Sequence, residues 1–173
     1  MPAAPGSSGV ARRGDCDIFL HVQAKRAGKI KGESRSPDHV DDIAVVGWRW
    51  GLSVSSSVGM TRETSLRSYT ALTVFKGIDS ATTPLMSALV TNDEIKEARL
   101  TMRRAGGAQE DFFVVTLKDA RVASLQHESD ADGETRETVA FSFTQVEVEY
   151  RGQRASGGRG ASSIFNDSLP ARE

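Results

Sequence analysis

Apolar and polar positions alternate over much of this chain, so strands dominate its reading. The clearest run is Asp42–Val54. Val46, Trp48, Trp50, Leu52 and Val54 fall on one face, and Val45, Gly47, Arg49, Gly51 and Ser53 on the other. A period of two predicts a single long strand with one buried side. Both tryptophans point into the same core, and Arg49, between two glycines, points the other way. Asp17–Gln23 repeats the pattern with Ile18, Leu20 and Val22 in phase. Ser68–Lys76 is apolar on both faces, with Leu72 and Val74 on one side and Tyr69, Ala71 and Phe75 on the other, which predicts a strand covered on both sides.

Three longer strands follow in meander style. Glu97–Arg104 places Ala98, Leu100 and Met102 inward and Arg99, Thr101 and Arg103 outward. Phe112–Leu125 starts with Phe113, Val115 and Leu117 in phase, then shifts to Ala120 and Val122. Thr138–Tyr150 starts with Val139, Phe141 and Phe143, then shifts to Val146, Val148 and Tyr150. A shift of phase requires a bulge or a transfer between faces. Two such strands predict a strongly bent sheet whose strands serve both walls. One short helix is expected between these groups, with Thr83 as N-cap, Pro84 as first helical residue and Leu85, Met86, Leu89 and Val90 as its stripe, ending near Asn92. The predicted fold is therefore mainly β: a small β-barrel of two bent antiparallel sheets with one flanking short α-helix.

The connections and ends complete this organisation. Residues 1–15 are rich in Pro, Gly, Ala and Ser and read as a flexible leader, 16–150 as the barrel domain, and 151–173 as a flexible Gly/Arg-rich tail in which Ile164, Phe165 and Leu169 are the positions able to dock. Ala24–Asp41 reads as a polar connection. Ser55–Leu66 is longer than a hairpin needs, and long loops in compact domains are commonly functional.

Composition narrows the function classes. A net charge of −1 over 173 residues exerts no global pull on nucleic acid or anionic membranes. No apolar run approaches the ~20 residues of a membrane span. Residues 1–14 lack the apolar stretch of a cleaved secretory signal. A single cysteine, Cys16, allows no internal disulfide.

Candidate chemistry is sparse. His21, His39 and His127 are widely separated, share no ligand spacing with Cys16, and read as ordinary surface residues, so no metal site is expected. Neither a nucleophile elbow nor a phosphate-binding loop is present. Asp41 and Asp42 read as a solvated turn at a strand entrance rather than an acid–base pair. No catalytic residue and no cofactor are expected. The basic group Lys25, Arg26, Lys29 and Lys31 supports an alternative: a monomeric or dimeric barrel that binds an anionic ligand.

Several local strings, in order, resemble the haemolysin-coregulated protein (Hcp) family, the tube subunits of bacterial type VI secretion systems. They are Ile18–Phe19–Leu20, Ile30–Lys31–Gly32–Glu33–Ser34, Val46–Gly47–Trp48–Arg49–Trp50–Gly51–Leu52, the segment from Phe75 through Lys76–Gly77–Ile78–Asp79 to Thr83–Pro84–Leu85–Met86, Ala98–Arg99–Leu100–Thr101–Met102–Arg103–Arg104–Ala105–Gly106–Gly107, and Val139–Ala140–Phe141–Ser142–Phe143–Thr144–Gln145–Val146. The resemblance spans about Asp17–Tyr150. It implies a non-enzymatic, secreted protein whose copies close into hexameric rings that stack as a hollow tube. The implied partners are other copies of the chain, contractile sheath proteins, the valine-glycine repeat spike and small effectors in the lumen, with no nucleic acid and no stable membrane insertion. The implied location is the bacterial cytoplasm, followed by export through the type VI system without a cleaved signal peptide. Residue roles follow by the same analogy: Val58, Met60 and Arg62 in the Ser55–Leu66 loop would touch the next ring. Arg49 would face the lumen at a position that is often small in the family, or else pair with an acid of the Glu147/Glu149 strand.

Overall fold

A computed structural model describes residues 16–55, 66–105, 109–153 and 159–170, the side chain of Arg159 excepted. The molecule is mainly β, with strands β1 (Cys16–Ala24), β2 (Gly28–Ile30), β3 (Ile43–Val45), β4 (Gly47–Arg49), β5 (Leu52–Ser55), β6 (Leu66–Tyr69) and β7 (Leu72–Lys76). After these come one helix, α1 (Thr82–Val90), and strands β8 (Ile95–Arg104), β9 (Asp111–Ser129), β10 (Thr135–Ser142), β11 (Gln145–Gln153) and β12 (Arg159–Ser168). Ten strands form one sheet whose main path is β2-β1-β8-β9-β10-β7-β4, with β3 on β1, β11 on β9 and β12 on β11; β5 and β6 form a separate two-stranded ribbon. All pairings are antiparallel.

The bend is made where the apolar phase shifts. In β9, Val115 and Leu117 are buried, then Ala120 and Val122, and Asp119 between them takes a positive φ of 47°. Aspartate tolerates that conformation better than most residues. Up to Ala120 β9 pairs with β8 and β11; from Arg121 onward it pairs with β10. The second shift falls at Phe143–Thr144, which separates β10 from β11. The expected strands serving both walls are therefore present, although Thr138–Tyr150 is two strands rather than one.

The tryptophan segment differs from the expected single strand. It is three short pieces: β3 bonds to β1, β4 bonds to β7, and β5 leaves for the ribbon. Val46, at the change of partner, is 74% exposed, while Ile43 and Val45 are buried. Its N–H bonds the Phe75 carbonyl at 2.7 Å. Two parts of one segment thus lie on β1 and β7, near opposite ends of the path, and curl the sheet. Trp48 and Trp50 do pack against the core, but Leu52 and Val54 are exposed. Ser68–Lys76 is likewise divided, between β6 and β7.

The core joins Leu20 and Val22 of β1, Ile43, Leu72 and Val74, Leu100 of β8, Val115 and Leu117 of β9, Val139 and Phe141 of β10, and Leu85 of α1. The helix begins one residue before Thr83, with Ala81 at the cap position and no side-chain cap bond. Asp79 Oδ1 instead accepts the Ala81 N–H at 3.0 Å. Pro84 fits in the first turn, where its missing N–H has no intrahelical partner to lose. Thr82, Leu85 and Ala88 are buried, whereas Met86 and Val90 face out.

Residues 159–168, expected as flexible tail, form β12. Its ladder with β11 runs from Gln145↔Ser168 to Gln153↔Arg159, so Ile164 and Phe165 lie in an edge strand and remain largely exposed.

Candidate functional site

β5 and β6 project from the sheet as a ribbon in the register Leu52↔Tyr69, Ser53↔Ser68, Val54↔Arg67 and Ser55↔Leu66. Directly paired residues share a face. One face therefore carries Leu52, Val54, Arg67 and Tyr69; the other carries Ser53, Ser55, Leu66 and Ser68, with the Ser53 and Ser68 hydroxyls 3.1 Å apart. Leu52, Val54 and Leu66 are 55%, 59% and 75% exposed. The loop between the strands carries Val58, Met60 and Arg62, which lie outside the described residues.

The base of the ribbon is anchored by aromatic packing. Tyr69 stacks on Trp50 at 5.9 Å between centroids and meets Phe143 edge-on at 5.6 Å. Gly51 and Thr70 close the base with two bonds of 3.0 Å: the Gly51 N–H donates to Thr70 Oγ1, and the Thr70 N–H donates to the Gly51 carbonyl. A further set of bonds reaches β12. Arg67 donates to both Asp167 carboxylate oxygens, at 2.7 and 3.1 Å, and to the Ser168 carbonyl at 3.0 Å. The Tyr69 hydroxyl donates to Asp167 Oδ2 at 2.8 Å. The Arg67 and Tyr69 bonds hold the Asp167 carboxyl below its ordinary range. Sequence reasoning missed this cluster, because Asp167 sits in a segment whose composition suggested no strand.

Arg49 is exposed on β4 and points away from the tryptophans. Its guanidinium lies 5.8 Å from the centre of the Phe75 ring, beside a groove lined by Trp50, Gly51, Thr70, Ala71 and Thr73. Among the described residues it has no ion pair; Glu149 pairs with Arg151 at 2.8 Å instead.

The basic group is less open than its sequence suggests. β1 and β2 form a hairpin whose turn is held by Asp93, which accepts the Arg26 and Ala27 N–H groups, both at 3.2 Å. Lys25 lies 3.4 Å from Glu94, Arg26 3.8 Å from Asp93 and Lys29 3.2 Å from Asp42. Three of the four cations thus face an acid of the same chain, and Lys31 is exposed with no ion pair among the described residues.

Two polar clusters are buried: His39 and Asp42, expected at the surface, lie in the first, while His127, at the rim of the second, is exposed as expected. His39 is buried, stacked on Phe19 at 4.3 Å with the rings nearly parallel. Its Nδ1 lies 2.9 Å from Asp42 and its Nε2 3.1 Å from Asp111. Asp42, expected in a solvated turn, is buried. His21 and Lys29 also contact it, at 3.3 and 3.2 Å. Burial raises the Asp42 pKa, but the bonds from His21, His39 and Lys29 outweigh it and bring it to about 2. Arg103, expected to point outward, is buried beside Asp111 at 3.2 Å. In the second cluster Lys76 of β7 meets Glu137 of β10. Both side chains are fully buried, and Thr82 donates to Glu137 Oε2 at 2.7 Å. His127 touches the same oxygen at 3.2 Å.

Opposite charges face one another in both clusters, as buried charges must. Among the described residues, no three His, Cys, Asp or Glu are placed to hold a metal. No helix there is long and apolar enough to cross a membrane.

The arrangement defines a class: a small, mainly β protein with one short packed helix that holds an apolar ribbon out from its wall. A family model described as "Type VI secretion system effector, Hcp" matches residues 19–150. Protein hcp1 of Pseudomonas aeruginosa is 33% identical over 148 residues, covering 83% of this chain and 88% of that protein. A crystal structure of Hcp1 from Salmonella typhimurium is 30% identical, with a TM-score of 0.66 over 88% of this chain and 94% of its own. A structure described as a type six secretion system protein shares the fold at a TM-score of 0.78 and 24% identity, over 88% of this chain and 95% of that one. The chain belongs to the Hcp family.

Proposed function

We propose that this protein is a structural, secreted subunit of a type VI secretion tube, not an enzyme. Its copies close into hexameric rings, and the rings stack into a hollow tube with effectors in the lumen. The observation that carries this reading is the family match over 19–150, which includes the tryptophan segment and both ribbon strands. The surface supports it. Large exposed apolar side chains on a ribbon that stands away from its own sheet are costly in a monomer and gain from burial against a neighbour. Contacts that close by rotation make a ring, and a second set along the axis makes a stack. The Val58, Met60 and Arg62 loop at the end of the ribbon meets the adjacent ring.

Arg49 faces the lumen in this reading. With no ion pair to it among the described residues, its repetition around a ring gives the inner wall a basic band that favours acidic cargo. Sheath, spike and lumen effectors are the partners, and the route out of the bacterial cytoplasm is the type VI machine itself. The alternative anion-binding patch is disfavoured by the ion pairs at Lys25, Arg26 and Lys29. Negative-stain images of the purified protein test the reading: closed six-fold rings support it, and a field of single small particles rejects it.

A further inference from the structure

We infer that β12 is a brace that fixes the direction in which the ribbon leaves the molecule, with Asp167 as its positioning residue. The ribbon is a two-stranded element outside the main sheet. Such a ribbon is at best marginally stable and hinges freely unless something outside it fixes its angle. At its base, Gly51 and Thr70 supply a hinge pair, and the Trp50–Tyr69 stack supplies packing. Neither reaches up to Arg67. The only described polar bonds from Arg67 run to Asp167 and Ser168, 100 and 101 residues away in the chain. A guanidinium held by both carboxylate oxygens is constrained in angle as well as distance. The Tyr69 hydroxyl, on the same ribbon strand, donates to the same carboxylate. Two points on one strand are thereby tied to one point on β12.

Among the described strands, β12 pairs with β11, through a ladder continuous from Ser168 to Ser162. The brace therefore transmits the position of the β11–β9 wall to the ribbon. The family match ends at residue 150, so the ribbon lies inside it and the brace outside it. Rigidity at this joint matters for assembly because a swinging ribbon must lose its freedom at every contact formed. This consequence rests on the tube reading; the brace itself does not.

The test is hydrogen exchange on the full chain, comparing wild type with Asp167→Ala and with the charge exchange Arg67→Asp/Asp167→Arg. Loss of the carboxylate is expected to speed exchange of the β5 and β6 amides by about fivefold while leaving those of β1 and β8 unchanged. The exchanged pair is expected to return most of that protection. In negative stain, Asp167→Ala is expected to keep single rings and shorten their stacks. Ribbon exchange equal to wild type overturns the brace, as does a rise shared equally by β1 and β8, which marks general loosening. Absence of rings in wild type contradicts the tube reading and leaves the exchange comparison to decide the brace.

Discussion

Lys76 Nζ lies 3.1 Å from Glu137 Oε1, and neither side chain reaches solvent. The two residues are direct cross-strand partners, with Asp79 adding a second carboxylate 2.9 Å from the lysine. The pair ties β7 to β10, and through Thr82 it ties both strands to the start of α1.

Breaking one half of this pair leaves a buried charge alone. Lys76→Met is expected to destabilise the fold by about 3–5 kcal/mol, whereas Lys76→Met combined with Glu137→Leu costs much less, because the desolvation penalty of both ions disappears together. Urea unfolding at one fixed protein concentration measures both. A double variant no better than the single one contradicts this account of the pair.

The Asp42 cluster sets an acid limit. A carboxyl with a folded-state pKa of about 2 contributes stability that is fully present above its unfolded value near 4 and is lost as the pH falls through 2. The shift is worth about 2 kcal/mol. Asp42→Asn should therefore lower the melting temperature at pH 7 and narrow its gap to wild type toward pH 2. A gap that stays constant over that range removes Asp42 from the acid response.

Gly32 is packed where a side chain does not fit. A Cβ there would lie 2.5 Å from the Asp42 carbonyl oxygen and 2.6 Å from the Ile43 Cα, both backbone atoms. Gly32→Ala must push apart the loop segments around Gly32–Ser34 and Asp41–Asp42, which bond each other through their backbones and hold Asp42 beside His39, at a cost of about 1–3 kcal/mol. Thermal unfolding checks this. The same change at Gly77, which has nothing within 4 Å, is the control and should leave the midpoint nearly unchanged.

Arg49→Ser changes charge without removing a buried contact. Circular dichroism and particle mass should match wild type, while the affinity for an acidic peptide should fall severalfold at low salt and less at high salt, because the lost interaction is screened. Fluorescence anisotropy at two ionic strengths reads this. Equal affinity at both removes Arg49 from cargo selection.

The legible parts of the fold were those written in local alternation. The shift from Leu117 to Ala120 was readable as a bend because period two is a property of neighbours in sequence, and Asp119 now marks its place. The division of the tryptophan segment was not readable. Val46 continues the alternation perfectly, yet it is exposed because the chain changes partner there from β1 to β7. The buried pair left a trace that went unread: Lys76 is in phase with Leu72 and Val74, and Glu137 with Val139 and Phe141, so each strand carried one charge on its core face. Their meeting depends on the β7–β10 register, which no single stretch encodes. The Arg67–Asp167 joint left less. Its two ends lie 100 residues apart, and β12 is built mostly from small and polar residues, with only Ile164 and Phe165 to suggest a strand.

The central claim concerns assembly, and particle mass tests it most directly. Light scattering on the purified full chain, with images of the same peak, is predicted to give six times the chain mass and a ring with an open centre. A single chain mass that persists at high concentration would contradict the tube-subunit account.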